Sequence, residues 1–585
     1  MTGPHERKPS VSISDRSAGP RAREPEELSR PAAGPDEAAG EEPGPARRRR
    51  AHPVLWWVIT VLAALLVFVA LVAPQLVSQL TPGALLRIPV EGLVGAALLL
   101  VLPPRPRRVV AAVGGTALGL LTILKIINMG FLEVLSRPFD PVLDWVLLDD
   151  AVSFLTDSVG RAGAIGAVVG VVLLVLAVVV LTALAVVRLG TLLGRRRAVS
   201  ARAVAVLTVV WLGCALSGAQ LVPPVPVAAR SAAALAYQQA RAVPAGVRDK
   251  ETFAREASGD AFRDVPDGER LSALRGKDVI FSFVESYGRS AVEDPRYAPQ
   301  VGAVLDAGTR ELEAAGFASR SAFLTSPIAG GGSWLAHATF SSGLWIDNEQ
   351  RDRSLVSSDR LTLTKAFERA HWNTVAVMPG TKGAWPEARF YGLDTLYSAD
   401  DMGYRGLNFS WSPMPDQFAL STFQRTEYGR PGRDPLMAEV VLTSSHSPWT
   451  PVPQLRDWDD LGDGTGYDAA VRATDAPPVV WQDPDRVRVG YRDSIGYSLD
   501  SLVSWVQKYG RDNLVLVFLG DHQPAPIITG DGASRDVPVT IVAKDPAVLD
   551  RIAGWGWQDG LKPGPQAPVW RMDAFRDRFL SAFGS

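Results

Sequence analysis

Five long apolar runs in the first 222 residues constrain the fold of this chain more than any other feature. A helix needs about 20 apolar residues to cross the hydrocarbon core of a bilayer, and four of the five runs reach this length readily. The second run is the weakest, because Arg87, Pro89 and Glu91 stand at its start. The sequence therefore predicts five transmembrane helices within residues 51–228. The runs are Val54–Ala73, Leu86–Leu102, Val109–Ile127, Ala162–Val187 and Ala203–Val222.

The segments between these runs differ in charge. Arginines cluster before the first run, between the second and third, and between the fourth and fifth, whereas the loop between the third and fourth is acidic. Because loops that face the cytoplasm carry an excess of Lys and Arg, this pattern predicts a multi-pass protein of the cell membrane with a cytoplasmic N-terminus. Five crossings then put the chain after Val222 on the outer side. The arginines are Arg47–Arg50, Arg105, Arg107, Arg108, Arg188, Arg195, Arg196, Arg197 and Arg202.

Two charged residues lie within the predicted membrane region. Glu91 opens the second run and Lys125 lies late in the third, so both are expected near the outer side of the bilayer. A charge inside a bilayer is costly unless it has a partner, which makes the two a candidate functional pair. The alternative is that each side chain reaches the interface on its own, and the sequence leaves both interpretations open.

The N-terminal tail, residues 1–50, has almost no large apolar side chains. Such a segment cannot bury enough surface to offset the entropy of ordering, so we predict that it is a disordered cytoplasmic tail. The formal net charge of -2 argues against a nucleic-acid binder, and we interpret Arg47–Arg50 as a basic stop beside a membrane helix. The single cysteine, Cys214, excludes a disulfide framework and a thiolate metal cluster within one chain.

From about Lys277 the pattern changes to short apolar strands that alternate with helical stretches. This alternation predicts an extracytoplasmic α/β domain over residues 277–585, with a mostly parallel sheet sandwiched by helices. Residues 229–276 are predicted to be a helical connector. The predicted strands are Asp278–Val284, Thr374–Met378, Ala438–Thr443, Asn513–Leu519 and Val537–Ala543, and the predicted helices include Leu361–Ala370 and Val487–Lys508.

Metal-ligating residue types follow three of these strands. Glu285 follows the first, His446 follows the third, and Asp521 with His522 follows the fourth. Active sites of such sheets lie beyond the carboxyl ends of the strands, so these side chains are expected to meet. Oxygen and imidazole ligands suit Zn²⁺ or Mn²⁺, with Mg²⁺ as a further candidate. Any one of these residues alone could instead be a solvated or capping side chain.

Ser333 is the candidate nucleophile. It follows a run of three glycines, Gly330–Gly332, and precedes a stretch of helical composition. A hydroxyl at a helix N-terminus faces free backbone N–H groups and the positive end of the helix dipole, which suits an oxygen that becomes esterified to an anion. The alternative is that Ser333 is only a helix N-cap.

At these residues the sequence resembles the lipoteichoic acid synthase branch of the alkaline phosphatase/sulfatase superfamily. The resemblance is carried by Val279–Ser286, Gly332-Ser333, Thr443–Trp449 and Leu519–His522, and by five spans before an outer domain. It implies one divalent metal, usually manganese, held by Glu285, Ser333, Asp521 and His522. It also implies that Ser333 attacks a phosphodiester and forms a phospho-enzyme. His446 would contact the transferred group.

The chain departs from that family at several positions. The usual nucleophile is Thr, and here it is Ser333. The family's substrate-gripping Trp–Arg pair matches Trp385 and Arg389 by region, although their spacing differs, and we assign both to substrate binding on that basis. Formylglycine sulfatases need Pro and Arg shortly after the nucleophile, and this chain has neither there. Phosphoethanolamine transferases of the superfamily generally use more histidines than this chain offers.

Three functions remain open on the sequence, two of them enzymatic and one not. The leading one is a transferase that moves a phosphoglycerol-like group from a membrane lipid donor to an envelope glycan or lipid acceptor. The second is a hydrolase of phosphate or sulfate esters in the same superfamily. The third is a non-catalytic envelope scaffold that kept the fold. The sequence predicts no nucleic-acid partner and says nothing about the oligomeric state.

Overall fold

The computed structural model describes residues 53–584, apart from residues 75, 142, 145, 146, 223, 224, 230 and 384. The predicted disordered tail and its arginine run lie outside these residues. Residues 57–585 form one compact unit. The boundaries that we predict between the membrane region, the connector and the outer domain stay predictions.

Four helices of the described chain are long and apolar enough to cross a membrane. They agree with the first, third, fourth and fifth predicted spans. The second predicted span is a helix of 12 residues, which is about 18 Å long and shorter than a bilayer core of about 30 Å. The total of five crossings therefore stays a prediction. The helices are α1 (Pro53–Val72), α2 (Val90–Val101), α3 (Pro104–Leu135), α4 (Leu147–Arg195, with non-helical backbone at Gly160) and α5 (Arg197–Ser217).

Short strands join the start of α2 to the chain that follows α5. Strand β1 (Ile88–Pro89) pairs in parallel with β4 (Ala228–Ala229), while β2 (Gln220–Val222) and β3 (Val225–Pro226) pair with each other. Strand β1 immediately precedes α2, and β4 follows α5. Their pairing therefore puts the N-terminus of α2 and the C-terminus of α5 on the same side of the helical region.

The two charged residues of the membrane region both bind backbone groups at helix ends. The buried Lys125 Nζ donates to the carbonyl oxygens of Ala70 (3.0 Å) and Ala73 (3.2 Å), at the end of α1. Glu91 Oε1 accepts a hydrogen bond from the N–H of Ala233 at 2.8 Å, in the first turn of α6 (Ser231–Ser258). Each charge thus satisfies orphan groups at a helix terminus, an arrangement that neither sequence interpretation described.

Within the described residues, nine strands form one mixed sheet in the outer domain, in the order β12-β6-β11-β10-β5-β9-β7-β8, with β13 beside β6. Five neighbours from β10 to β8 run parallel, and β11 runs antiparallel to both β10 and β6. The prediction of a mostly parallel sheet is confirmed. The strands are β5 (Asp278–Val284), β6 (Ala318–Thr325), β7 (Asn373–Met378), β8 (Thr395–Ser398), β9 (Leu436–Leu442), β10 (Leu514–Gly520), β11 (Asp536–Ala543), β12 (Gln558–Asp559) and β13 (Val569–Arg571).

Helices cover both faces of this sheet, and each face has its own apolar core. Phe281 and Phe283 of β5 face one core, whereas Ile280 and Val284 face the other, as the period of two in a strand requires. The helices are α7 (Arg289–Glu293), α8 (Ala298–Ala314), α9 (Ser333–Ser342), α10 (Glu349–Val356), α11 (Leu363–Arg369), α12 (Ala388–Tyr391), α13 (Asp416–Phe423), α14 (Asp468–Ala473), α15 (Pro477–Val480), α16 (Pro484–Tyr509), α17 (Pro526–Thr529), α18 (Pro546–Asp550) and α19 (Ala574–Phe583).

All five predicted strands are present, with ends within two residues of the prediction. Strand β6 was missed, because its first half, Ala318–Ser321, carries two Ser and one Arg, and only Ser321–Leu324 are buried. Helix α6 lies within the predicted connector, and Asp260 after it accepts a 2.8 Å hydrogen bond from Arg576 of α19. Both side chains of this ion pair are fully buried.

Candidate active site

The parallel register of the central strands brings the first two site residues together. Val284, the last residue of β5, pairs with Gly520, the last residue of β10. The next residue on each strand is a carboxylate, Glu285 and Asp521, and both are buried. Two carboxylates far apart in sequence thus leave the same edge of the sheet side by side.

Ser333 and His522 complete a compact group around this point. Ser333 Oγ donates to Glu285 Oε2 at 2.9 Å and lies 3.2 Å from His522 Nε2. His522 Nε2 is 3.4 Å from Glu285 Oε1 and 3.7 Å from Asp521 Oδ2. The structure therefore brings together all four side chains that the sequence assigned to a metal.

Hydrogen bonds outside this group occupy one side-chain atom each of His522 and Asp521 and leave Nε2 and Oδ2 for the centre. His522 Nδ1 donates to the carbonyl oxygen of Gln523 at 2.8 Å, so in the neutral imidazole Nε2 carries the lone pair. The N–H groups of Ser286 and His522 both donate to Asp521 Oδ1, at 2.8 and 2.7 Å. Asp521 Oδ2 is buried and has no hydrogen-bond partner among the residues that the structure describes.

Burial and like charge dominate the electrostatics of the group. Burial raises the pKa of the Asp521 carboxyl to about 6, and the nearby Glu285 carboxylate adds to the rise. Burial also opposes the charged form of His522, but the carboxylates of Asp521 and Glu285 outweigh it and raise the pKa of that imidazole. A cation at the centre would relieve this gathered negative charge.

These residues fit a divalent cation. Ligand atoms of Glu285, Asp521 and His522 lie within 4.8 Å of one another. Ligands about 2.0–2.2 Å from a tetrahedral ion are themselves about 3.4 Å apart, which matches the distances within the group. The partnerless Asp521 Oδ2 also needs a positive neighbour, since a buried acceptor without a partner is costly.

Ser333 occupies the position that the sequence predicted, as the first residue of α9. Gly332 before it has a φ of 87°, a left-handed conformation that glycine adopts without strain. The first N–H groups of a helix have no partner within the helix, so the helix presents its positive end at the Ser333 hydroxyl.

The loop before Ser333 packs against the end of membrane helix α3. A Cβ atom added at Gly330 would lie 1.8 Å from the carbonyl oxygen of Val134, and φ at Gly330 is +79°. The backbone of the loop before Ser333 therefore touches the last turn of α3, and only glycine permits the approach.

Under the phosphodiester chemistry that the resemblance implies for Ser333, Gly330→Ala is expected to reduce turnover by about tenfold to a hundredfold, because the loop must move away from α3 and carry Ser333 with it. Initial rates of phosphodiester cleavage by the purified full-length protein measure this. Gly432→Ala is the matched control, since Gly432 has a φ of +68° but no atom within 4 Å of the added Cβ. Equal rates for the two variants would contradict the positioning role.

A cavity of about 520 Å³ opens beside the group, and Glu285 and Ser333 form part of its lining. His446 also lines it. The His446 ring stacks on Trp411 with centroids 3.6 Å apart, and its Nδ1 hydrogen-bonds to the carbonyl oxygen of Ser447. Burial lowers the pKa of His446 to about 4, so this imidazole is neutral at ordinary pH and its Nε2 can accept a hydrogen bond from a bound group.

The two residues assigned by analogy to substrate binding are separated. Trp385 lines the cavity and stacks on Tyr391 with centroids 5.2 Å apart. Arg389, one helical turn further along, is exposed and is not among the described residues that line the cavity. The substrate-binding roles of both residues stay predictions.

Sequence reasoning missed four further residues of the cavity wall. They are His337, Asp352, Tyr391 and Glu439. His337 Nδ1 lies 2.9 Å from Glu439 Oε1, and its ring stacks on Phe283 at 3.8 Å. One signal was available, because His337 is four residues after Ser333 and so lies on the same face of α9.

Four membrane-length helices and an α/β domain with a buried carboxylate, imidazole and hydroxyl group define the class of this protein. It is a membrane-anchored protein with a centre suited to a divalent cation.

No protein-family model and no curated protein matches the chain. Solved structures similar to it include LtaP, a lipoteichoic acid synthase from Listeria monocytogenes, at 14% identity and a TM-score of 0.36, covering 58% of this chain and 78% of that one. The phosphoglycerol transferase GacH of Streptococcus pyogenes, in complex with sn-glycerol-1-phosphate, has 11% identity, a TM-score of 0.32, and coverage of 57% and 90%. The periplasmic domain of EcEptC from Escherichia coli, in complex with Zn, has 13% identity, a TM-score of 0.30, and coverage of 45% and 72%. These similar structures include a lipoteichoic acid synthase, the family that the sequence motifs resemble. The function of this chain is inferred from its own residues.

Proposed function

We propose that this protein is a metal-dependent phosphotransferase of the alkaline phosphatase superfamily that works on the outer face of the cell membrane. The observation that carries the proposal is the meeting of Glu285, Ser333, Asp521 and His522 around one point, beside a cavity of about 520 Å³. The proposed topology has the N-terminus in the cytoplasm and five crossings. The β1–β4 pairing supports it, because that pairing joins the start of α2 to the chain after α5.

These residues would hold one divalent cation, for which manganese is the first candidate and magnesium and zinc are the alternatives. When bound, it supplies positive charge that lowers the pKa of a neighbouring hydroxyl and neutralises phosphate oxygens. Glu285 accepts the hydrogen bond of the Ser333 hydroxyl and so fixes the direction of its lone pairs toward the cavity.

In the proposed reaction the Ser333 oxygen attacks the phosphorus of a lipid phosphodiester. The bond from phosphorus to the diacylglycerol oxygen breaks, and that oxygen leaves with a proton. The N–H groups at the start of α9 face the oxygens of the transferred phosphoryl group, and the neutral His446 accepts a hydrogen bond from a hydroxyl of the transferred group. An acceptor hydroxyl then displaces Ser333 from phosphorus and returns the proton to its oxygen, so the phosphoserine is only an intermediate.

A phosphoglycerol-like unit is the proposed transferred group, with a membrane lipid as donor and an envelope glycan or lipid as acceptor. The contact between Gly330 and the end of α3 supports a lipid donor, because it holds the nucleophile loop next to the membrane helices.

The test uses full-length protein in liposomes with Mn²⁺ and phosphatidylglycerol labelled in its head group. We expect diacylglycerol to form, the label to move to an added glycolipid acceptor, and acid quenching to trap the label on the peptide that contains Ser333. Label released only as free glycerol phosphate would identify a hydrolase instead. If intact donor is recovered with each of the three metals, the proposed lipid donor is wrong.

A further inference from the structure

One part of the cavity wall is rich in carboxylates and aromatic rings. Its carboxylates are Asp352 of α10, Glu387 just before α12, and Glu439 of β9, and its rings include Trp385 and Tyr391. No lysine or arginine is among the described residues that line the cavity. Apart from the group of Glu285, Ser333, Asp521 and His522, which we call the metal-type group, the cavity lining therefore favours a positively charged ligand over an anionic one.

Tyr391 shows where such a ligand would sit. Its side chain is only 8% exposed, it lines the cavity, and its hydroxyl has no hydrogen-bond partner among the described residues. Burial raises the pKa of this hydroxyl well above its ordinary value, and the charges of Asp352, Glu439 and Glu387 add to the rise. This hydroxyl therefore lies beside three carboxylates at the wall of the cavity.

Two of the three carboxylates are also without a protein partner. Glu439 Oε1 lies 2.9 Å from His337 Nδ1. No described side chain or N–H group, however, hydrogen-bonds to the Asp352 or Glu387 carboxylate. Burial raises the pKa of Asp352 to about 7, and the charges of Glu349 and Glu387 add to it. Like charges held together in a half-buried place are unfavourable until a cation joins them.

The aromatic rings select the kind of cation. Trp385 and Tyr391 stack with an interplanar angle of 24°, and both rings line the cavity together with the carboxylates. Ammonium groups bind such ring faces and carboxylates together, whereas hard metal ions prefer a shell of oxygen atoms.

We propose that this wall, which we call the Asp352–Glu387 wall, binds a primary ammonium group of the substrate. The inference rests on the proposed function, because it names a substrate class for the same cavity. The ammonium group has two sources, the head group of the donor phosphodiester or an amine on the acceptor. The first would make the transferred group an aminoalkyl phosphate in place of phosphoglycerol.

The experiment compares substrates that differ only in this charge, with full-length protein and Mn²⁺. In the donor arm, phosphatidylethanolamine is compared with its N-acetylated form. In the acceptor arm, a glucosamine lipid is compared with the N-acetylglucosamine lipid at a fixed phosphatidylglycerol concentration. We expect a preference of about tenfold in kcat/KM for the ammonium form in one arm. The Asp352→Asn/Glu387→Gln double variant should lose that preference mainly through a higher KM for the ammonium form.

Turnover of bis(4-nitrophenyl) phosphate, which carries no ammonium group, separates the two proposals. Rates in both arms are expressed relative to it, and Asp359→Asn, at an exposed position, is the matched charge-removal control. If the wild-type protein turns over the nitrophenyl ester but uses the charged and acetylated substrates equally, the proposed ammonium site is wrong and the proposed function stands. The same holds if the double variant keeps the preference. A wild-type protein without nitrophenyl turnover overturns the proposed function and this inference together.

Discussion

Replacing Ser333 with alanine is expected to lower the rate of phosphodiester turnover by on the order of a thousandfold or more. The variant loses the oxygen that would be esterified, and the 2.9 Å hydrogen bond to Glu285 goes with it. Helix α9 should still form, because its start depends on the backbone conformation of Gly332. Initial rates with bis(4-nitrophenyl) phosphate, measured at equal protein and metal concentrations, quantify the loss.

Two further variants make this result specific. Ser333→Thr keeps a hydroxyl at the same place and should keep measurable turnover and the trapped phospho-peptide. Ser357→Ala removes an exposed hydroxyl just after α10 and should behave as the wild type. A scaffold role predicts the opposite pattern: Ser333→Ala would then support growth and envelope composition as well as the natural chain does.

Removing one carboxylate from the metal-type group is the second change with a large expected effect. In the natural protein, Mn²⁺ at about 100 times its Kd should add about 2.7 kcal/mol to the free energy of unfolding. Asp521→Asn takes away the charge opposite His522 and should abolish both this stabilisation and turnover. Thermal unfolding in detergent with and without Mn²⁺, after treatment with EDTA, measures the first effect.

The control for this experiment is Asp512→Asn, which changes a carboxylate that is 92% exposed. It should keep the full metal-dependent rise in Tm. The same titration with Mg²⁺ and Zn²⁺ ranks the three metals. If Asp521→Asn is stabilised by Mn²⁺ as strongly as the natural protein, the cation binds elsewhere and the proposed centre is wrong.

The metal-type group was predictable because it depends on sheet topology. Glu285 and Asp521 each follow a continuous apolar run, and parallel neighbours end at the same edge of a sheet. Ser333 was predictable from local backbone chemistry, since glycines before a helical stretch predict a helix start.

The cavity wall could not be predicted in the same way. Asp352 lies in a short helix between polar neighbours, and Tyr391 ends a helix of four residues. Neither position differs in local pattern from an ordinary surface helix. Only the packing of α10 and α12 against the sheet brings these side chains to one cavity, and such tertiary packing leaves no periodic signal in the sequence.

The contact between Gly330 and the end of α3 also limits where this protein could work. Under the proposed activity, the reacting oxygen is braced at a set height above the lipid head groups and is not carried on a flexible tether. A donor lipid would then react without leaving its leaflet. An acceptor would have to approach the membrane surface to react, so an envelope polymer could be modified only at units that lie close to that surface.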